Sequence, residues 1–116
     1  MNIPKIKILF VCTINKMRSA TAEVIYKNDE RFEVKSAGTD STANTILSID
    51  LLNWADSIVV MEKEHRNFIR KKYADIYEKK KIVCLYIPDE FDYMQSGLVT
   101  IIKEKFESVY RRGLLK

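Results

Sequence analysis

The stretch Ile8-Leu9-Phe10-Val11-Cys12-Thr13-Ile14-Asn15-Lys16-Met17-Arg18-Ser19-Ala20-Thr21-Ala22-Glu23 passes from an unbroken apolar run, through a polar turn, into good helix formers. An apolar run that is continuous rather than alternating belongs to a strand covered on both faces, which favours a parallel sheet. Outward from it the same rhythm recurs, with strands expected at Phe32–Val34, Ile58–Met61 and Ile82–Ile87. Helices are expected at Ser19–Asn28, Asn44–Ala55, Lys63–Tyr77 and Ser96–Arg111. The last is the clearest: Leu98, Ile101, Ile102, Lys105, Phe106 and Val109 follow helical spacing, with Ser96 as N-cap and only the Lys105 stem interrupting the stripe. Strand-helix alternation with right-handed crossovers predicts an α/β three-layer sandwich, a four-stranded parallel sheet with helices on both faces. In such sheets ligands bind beyond the carboxyl ends of the strands, near the point where strand order reverses. Chemistry is therefore expected after Cys12, Met61 and Ile87.

At 116 residues and 47% hydrophobic content the chain is of single-domain size, and one domain over residues 1–116 is expected. With three Gly and two Pro there is no low-complexity tract or hinge to mark a boundary. No apolar run approaches the roughly 18 residues that cross a bilayer, and the first residues lack a signal-peptide pattern, so a cytoplasmic protein without membrane contact is expected. The two cysteines, Cys12 and Cys84, have no zinc or redox spacing and read as free thiols. No metal and no cofactor is implied. Net charge is +4, concentrated in Arg70-Lys71-Lys72, Lys79-Lys80-Lys81 and Arg111-Arg112, which read as solvated helix ends rather than a nucleic-acid surface.

The turn after the first strand has the pattern Cys-x5-Arg-Ser. Backbone N–H groups of a loop entering a helix lack partners and converge, and the helix dipole adds positive potential, so such a turn suits a dianionic phosphate. Arg18 can present a bidentate fork to two phosphate oxygens. The same surroundings, with a hydroxyl such as Ser19, favour the thiolate of Cys12 and make it a nucleophile. Attack on phosphorus would give a phosphocysteine, which water then releases. A cysteine ending a buried strand is often inert packing; its place after a first strand, with Ser19 and a helix behind, favours the functional reading.

Three separated segments, Ile8 to Ser19 with Ala22-Glu23, Ser36-Ala37-Gly38-Thr39, and Ile87-Pro88-Asp89, together resemble the low-molecular-weight protein tyrosine phosphatase family, in that family's order. Ala55-Asp56 before the third strand and Met61 at its end extend the resemblance over most of the chain. It implies hydrolysis of phosphotyrosine, in a protein or a small aryl phosphate, with Cys12 as nucleophile, Arg18 as phosphate ligand and Asp89 as general acid. Asn15 would shape the loop, Ser19 would support the thiolate, and Thr13, Ile14, Lys16 and Met17 would complete the substrate-binding loop. Asp89 also makes sense without the resemblance. It follows a buried strand and Pro88, and so belongs at the sheet edge that carries Cys12, where a carboxylic acid can protonate a leaving oxygen. The alternative is an exposed loop Asp in a turn.

Several positions depart from the family pattern. Ile14 stands where a loop glycine is usual, so either its backbone avoids positive φ or the loop is reshaped. Met17 replaces a second loop cysteine, Glu90 replaces a proline, and the segment Asp40 to Thr45 lacks the aromatic residue that helps wall the cleft. Phe91 and Tyr93 flank Asp89 and are candidates to sandwich an aryl phosphate, with loop packing as the alternative. Inorganic phosphate or a similar oxyanion is the expected small ligand. His65, the sole histidine, follows the third strand, but a lone helical histidine is more often a surface or packing residue. Trp54, Tyr73 and Tyr77 fit helix packing. Two other functions use comparable parts. An arsenate reductase of this fold needs a cysteine relay, for which only Cys84 remains, expected buried in mid-strand. A phosphoprotein-binding module would not need Cys12, Arg18 and Asp89 together.

Overall fold

The computed structural model describes residues 4–115. β1 (Ile6–Cys12), β2 (Phe32–Gly38), β3 (Ser57–Val60) and β4 (Lys81–Cys84) form one parallel sheet in the order β2-β1-β3-β4. Five helices are described: α1 (Arg18–Tyr26), α2 (Ile49–Trp54), α3 (Lys63–Lys72), α4 (Ala74–Lys79) and α5 (Ser96–Arg111). Alternate side chains of β1 divide the core. Ile8, Phe10 and Cys12 join Ala22, Tyr26, Leu98, Ile102 and Phe106 on one face. Leu9 and Val11 join Leu52, Ile69 and Ile76 on the other. β1 is thus covered by α1 and α5 on one side and by α2, α3 and α4 on the other, which is why its sequence is apolar without alternation.

This is the three-layer sandwich read from the sequence, with local differences. The helix expected at Asn44–Ala55 begins only at Ile49. Thr45 and Leu47 are held to Gly38 by Gly38 N–H to Thr45 O and Leu47 N–H to Gly38 O, both 2.8 Å, so the chain is extended there. Ser48 then caps the helix, accepting from Leu51 N–H at 3.2 Å. The helix expected at Lys63–Tyr77 is two helices, broken where Tyr73 leaves helical geometry at φ −131°, ψ 57°. β2 runs four residues past the expected Val34, to Gly38, because β1 pairs with it along its full length. β4 stops at Cys84 rather than Ile87: Leu85 and Ile87 still donate to Val60 O and Met61 O, but Tyr86 between them turns to φ 54°. Ser96 is the first residue of α5, preceded by Gln95 as N-cap.

The basic runs do lie at helix ends. Arg70, Lys71 and Lys72 occupy the last turn of α3, Lys79 and Arg111 those of α4 and α5, where cations complement the helix dipole. Lys80 donates to the Asn53 and Ala55 carbonyls at the end of α2. Among the described residues no helix is long and apolar enough to cross a membrane, and no cluster of His, Cys, Asp and Glu is arranged to hold a metal.

Candidate active site

β1 and β3 are the neighbours between which strand order reverses, and the site lies at their carboxyl ends. Cys12 is the last residue of β1. The five residues between it and α1 form a turn whose first carbonyls bond to the neighbouring segment 39–44. Cys12 O accepts from Thr39 N–H at 3.0 Å, Thr13 O from Asp40 N–H at 2.9 Å, and Ile14 O from Asn44 N–H at 3.1 Å. Asn15 O accepts from the Asn44 side-chain amide at 3.1 Å. Carbonyls tied outward leave the intervening N–H groups free to turn inward, a geometry that can receive an oxyanion at the start of α1.

Gly38 explains the second segment of the sequence pattern. A Cβ at this position would lie 2.5 Å from Thr13 O and 3.0 Å from Asn15 N, so only glycine lets β2 carry the turn's backbone. Asn15 takes the turn's positive φ, 57°, a conformation asparagine tolerates well. Ile14 is outside that region, so no glycine is needed at this position.

The thiol of Cys12 is buried and lies 2.9 Å from Ser19 Oγ. Asn15 Nδ2 donates to the same Oγ at 2.7 Å, occupying a hydroxyl lone pair. The Ser19 hydrogen is then left for Sγ or for the more distant Ala37 O, at 3.4 Å. Sγ is the nearer of the two, and in that contact either atom can be the donor.

Arg18, only 2% exposed, donates from Nη1 to Ile87 O at 2.8 Å and pairs through Nη1 with Glu62 Oε2 at 2.8 Å. Both bonds use one terminal nitrogen. Nε lies 4.0 Å from Asp89 Oδ1, whose side chain is 65% exposed. The loop carrying Asp89 is anchored at three points. Ile87 O binds Arg18, Phe91 packs against Gly97 and the core, and Met94 N–H donates to Thr21 Oγ1 of α1 at 3.0 Å.

Of the residues singled out in the sequence, Cys12, Thr13, Ile14, Asn15, Lys16, Met17, Arg18, Ser19 and Asp89 meet at this sheet edge. Phe91 does not pair with Tyr93 as a sandwich for a ring. It packs inward as the anchor of the loop, while Tyr93 is exposed. Cys84 ends β4, half-buried, instead of lying in mid-strand, and packs against the core on the face opposite Cys12.

Two residues of the segment after Met61 touch this turn in a way the sequence did not indicate. Glu62, next after Met61, holds Arg18. Of the surface and packing readings of His65 the structure has the buried one, with Nε2 2.9 Å from Thr13 Oγ1 and Nδ1 accepting from Glu62 N–H at 3.0 Å. The spacing Glu-x-x-His, directly after a buried strand, is the available signal, since it places a reciprocal cap at a helix start. Burial, with the Arg18 charge second, pushes the His65 pKa down to about 4, against the weaker opposing pull of Glu62 and Asp89.

No protein-family model and no curated protein matches the chain in sequence. In three dimensions it has the fold of the low-molecular-weight protein tyrosine phosphatases. It is similar to SP-PTP, a low-molecular-weight protein tyrosine phosphatase from Streptococcus pyogenes, with TM-score 0.73 and 17% identity over 91% of this chain and 92% of that one. Vibrio vulnificus Wzb, solved with benzylphosphonate, gives TM-score 0.73 and 22% identity over 94% and 99%. An arginine phosphatase, YwlE from Geobacillus stearothermophilus, gives TM-score 0.68 and 23% identity over 94% and 96%.

Proposed function

We propose that the chain is a cysteine-dependent phosphomonoesterase that hydrolyses phosphotyrosine, in proteins or small aryl phosphates. The observation that carries this is the joint geometry of the turn: carbonyls tied outward, a hydroxyl in hydrogen-bond contact with Sγ of Cys12, and a buried guanidinium beside an exposed carboxyl. Cys12 Sγ attacks phosphorus as the ester P–O bond breaks, and the leaving oxygen takes the proton of Asp89. Arg18 contacts the equatorial oxygens through its Nε–Nη2 edge, since Nη1 is engaged by Ile87 and Glu62. Water then attacks the phosphocysteine, Asp89 takes its proton, the P–S bond breaks and inorganic phosphate leaves.

A cysteine relay for arsenate reduction is poorly served. Cys84 packs on the other face of the sheet and is two strands from β1, about 10 Å at ordinary strand spacing, beyond reach of a disulfide. The fold also houses an arginine phosphatase, and here the acidic Asp89, Glu90 and Asp92 stand together in one loop, where a substrate guanidinium would find counter-charge. Assays of p-nitrophenyl phosphate, a phosphotyrosine peptide and a phosphoarginine peptide, without reductant, decide among these. Phosphate release from the first two is expected, with Cys12→Ser slower by about a thousandfold or more. Preference for the phosphoarginine peptide would move the substrate class. Turnover unaffected in Cys12→Ser would overturn the mechanism.

A further inference from the structure

The first turn of α3 touches the anion turn at both ends. Glu62 Oε2 holds Arg18 Nη1 at 2.8 Å, and three residues on His65 Nε2 holds Thr13 Oγ1 at 2.9 Å. These two residues also form the reciprocal cap of α3. The Glu62 side chain accepts from His65 N–H, and His65 Nδ1 accepts from Glu62 N–H at 3.0 Å. This second bond decides the tautomer. A nitrogen that accepts from a backbone N–H cannot carry a proton, so the proton of the neutral ring is on Nε2, and Nε2–H donates to Thr13.

We propose that His65 is a positioning residue of the catalytic turn: as a neutral Nε2–H donor it holds Thr13, while Glu62 of the same cap holds Arg18, so α3 sets the spacing between the two ends of the oxyanion nest. The inference rests on the phosphate-site reading above. Its physical basis is that a five-residue turn between Cys12 and Arg18 keeps its amides convergent only if both ends are fixed, and Thr13 is its first residue. The charged groups around the ring are Arg18 from α1, Glu62 from its own cap and Asp89 from the loop before α5. Protonating the ring would set Nδ1–H against Glu62 N–H and break the cap, so the device requires the neutral ring that burial enforces.

Because the chain has one histidine, its ring 15N resonances are identifiable without ambiguity. The expected spectrum is a protonated Nε2 and an unprotonated Nδ1, unchanged between pH 7 and pH 5, with the Nε2–H signal displaced in Thr13→Val. An Nδ1–H tautomer, or titration near pH 6.5, would overturn the assignment. In vanadate titrations well below the unfolding temperature, His65→Leu and Thr13→Val are each expected to lose about tenfold in affinity, and the double variant little more than either. His65→Gln, whose amide can donate in place of Nε2–H, should recover most of it. Wild-type affinity in His65→Leu and Thr13→Val alike would overturn the positioning role and leave the phosphate site standing. Failure of the wild type to bind vanadate or cleave p-nitrophenyl phosphate would instead remove the site itself, and this inference with it.

Discussion

Asp89 and Gly38 act on the same turn by different physics. Asp89 sits 4.0 Å from Arg18 and is mostly exposed, and in the proposed mechanism it serves the leaving oxygen without holding the phosphate. Asp89→Asn is expected to lower turnover by about a hundredfold or more on aryl phosphates with poor leaving groups, and much less on activated nitrophenyl esters, with KM little changed. A flat ratio across a leaving-group series would assign the proton elsewhere, to Asp92 first. At Gly38 the constraint is steric. A methyl group would meet backbone atoms of Thr13 and Asn15, which cannot yield as a flexible side chain does. Gly38→Ala should destabilise the fold by about 1–3 kcal/mol and weaken phosphate binding, since relief must come from moving the turn itself. Denaturant unfolding and phosphate titration of the variant test both halves; native behaviour in each would show that β2 can give way.

At the scale of elements, β1, α1, β2 and α5 are joined by an aromatic cluster on one face of the sheet. Phe10, Tyr26, Phe32 and Phe106 pack ring on ring, with centroids 4.5 to 6.2 Å apart. At its rim Arg31 lies over Phe32 and Tyr110 and makes hydrogen bonds to both Asp29 and Glu107, while Tyr26 donates to Glu107 at 3.0 Å. Hydrogen bonding from Arg31 holds the Asp29 and Glu107 carboxyls below their ordinary values. Carboxyls with depressed folded pKa contribute stability that is complete above the unfolded value of about 4 and is lost as pH falls through the lower folded values. His65 acts in a higher window. The unfolded ring binds a proton below about 6.5 and the folded one only near 4, so stability also falls between these values on acidification. Glu107→Gln is expected to cost about 1–2 kcal/mol at neutral pH and to flatten the acid limb below about pH 4, leaving the window above it. Urea unfolding across pH separates the two; an unchanged acid limb in Glu107→Gln would remove the cluster from the account.

For the whole molecule, the parallel sheet separates the two thiols. Cys12 ends the strand at the reversal point and faces α1 and α5, whereas Cys84 ends the edge strand and packs toward the other side. Burial pushes the Cys84 thiol up, away from its reactive form, while Cys12 Sγ has the Ser19 hydroxyl beside it at 2.9 Å. Brief treatment with iodoacetamide near pH 7 should therefore label Cys12 well ahead of Cys84, and saturating vanadate should protect it. Mass spectrometry of the two peptides reads the order, and faster labelling of Cys84 would count against a nucleophilic Cys12.

The architecture was legible in the sequence because its determinants are local. Unbroken apolar runs such as Ile8–Cys12 identify strands buried on both faces, and the stripe from Leu98 to Val109 identifies α5, whatever the rest of the chain does. The same holds for Cys12, Arg18 and Ser19, which lie within one turn, and for Asp89, which follows a strand that must end at the same edge. What only the tertiary structure decided are pairings between distant segments. The helix expected from Asn44 starts later because Asn44 and Thr45 are drawn to Ile14 and Gly38. Phe91 turns inward to pack against the core beside Gly97. Glu62 and His65, some fifty residues from the turn they hold, have ordinary helix-start roles until β3 is laid beside β1. A hydrogen bond across that separation depends on strand order and register, and these follow from packing of the whole core, which no local pattern encodes.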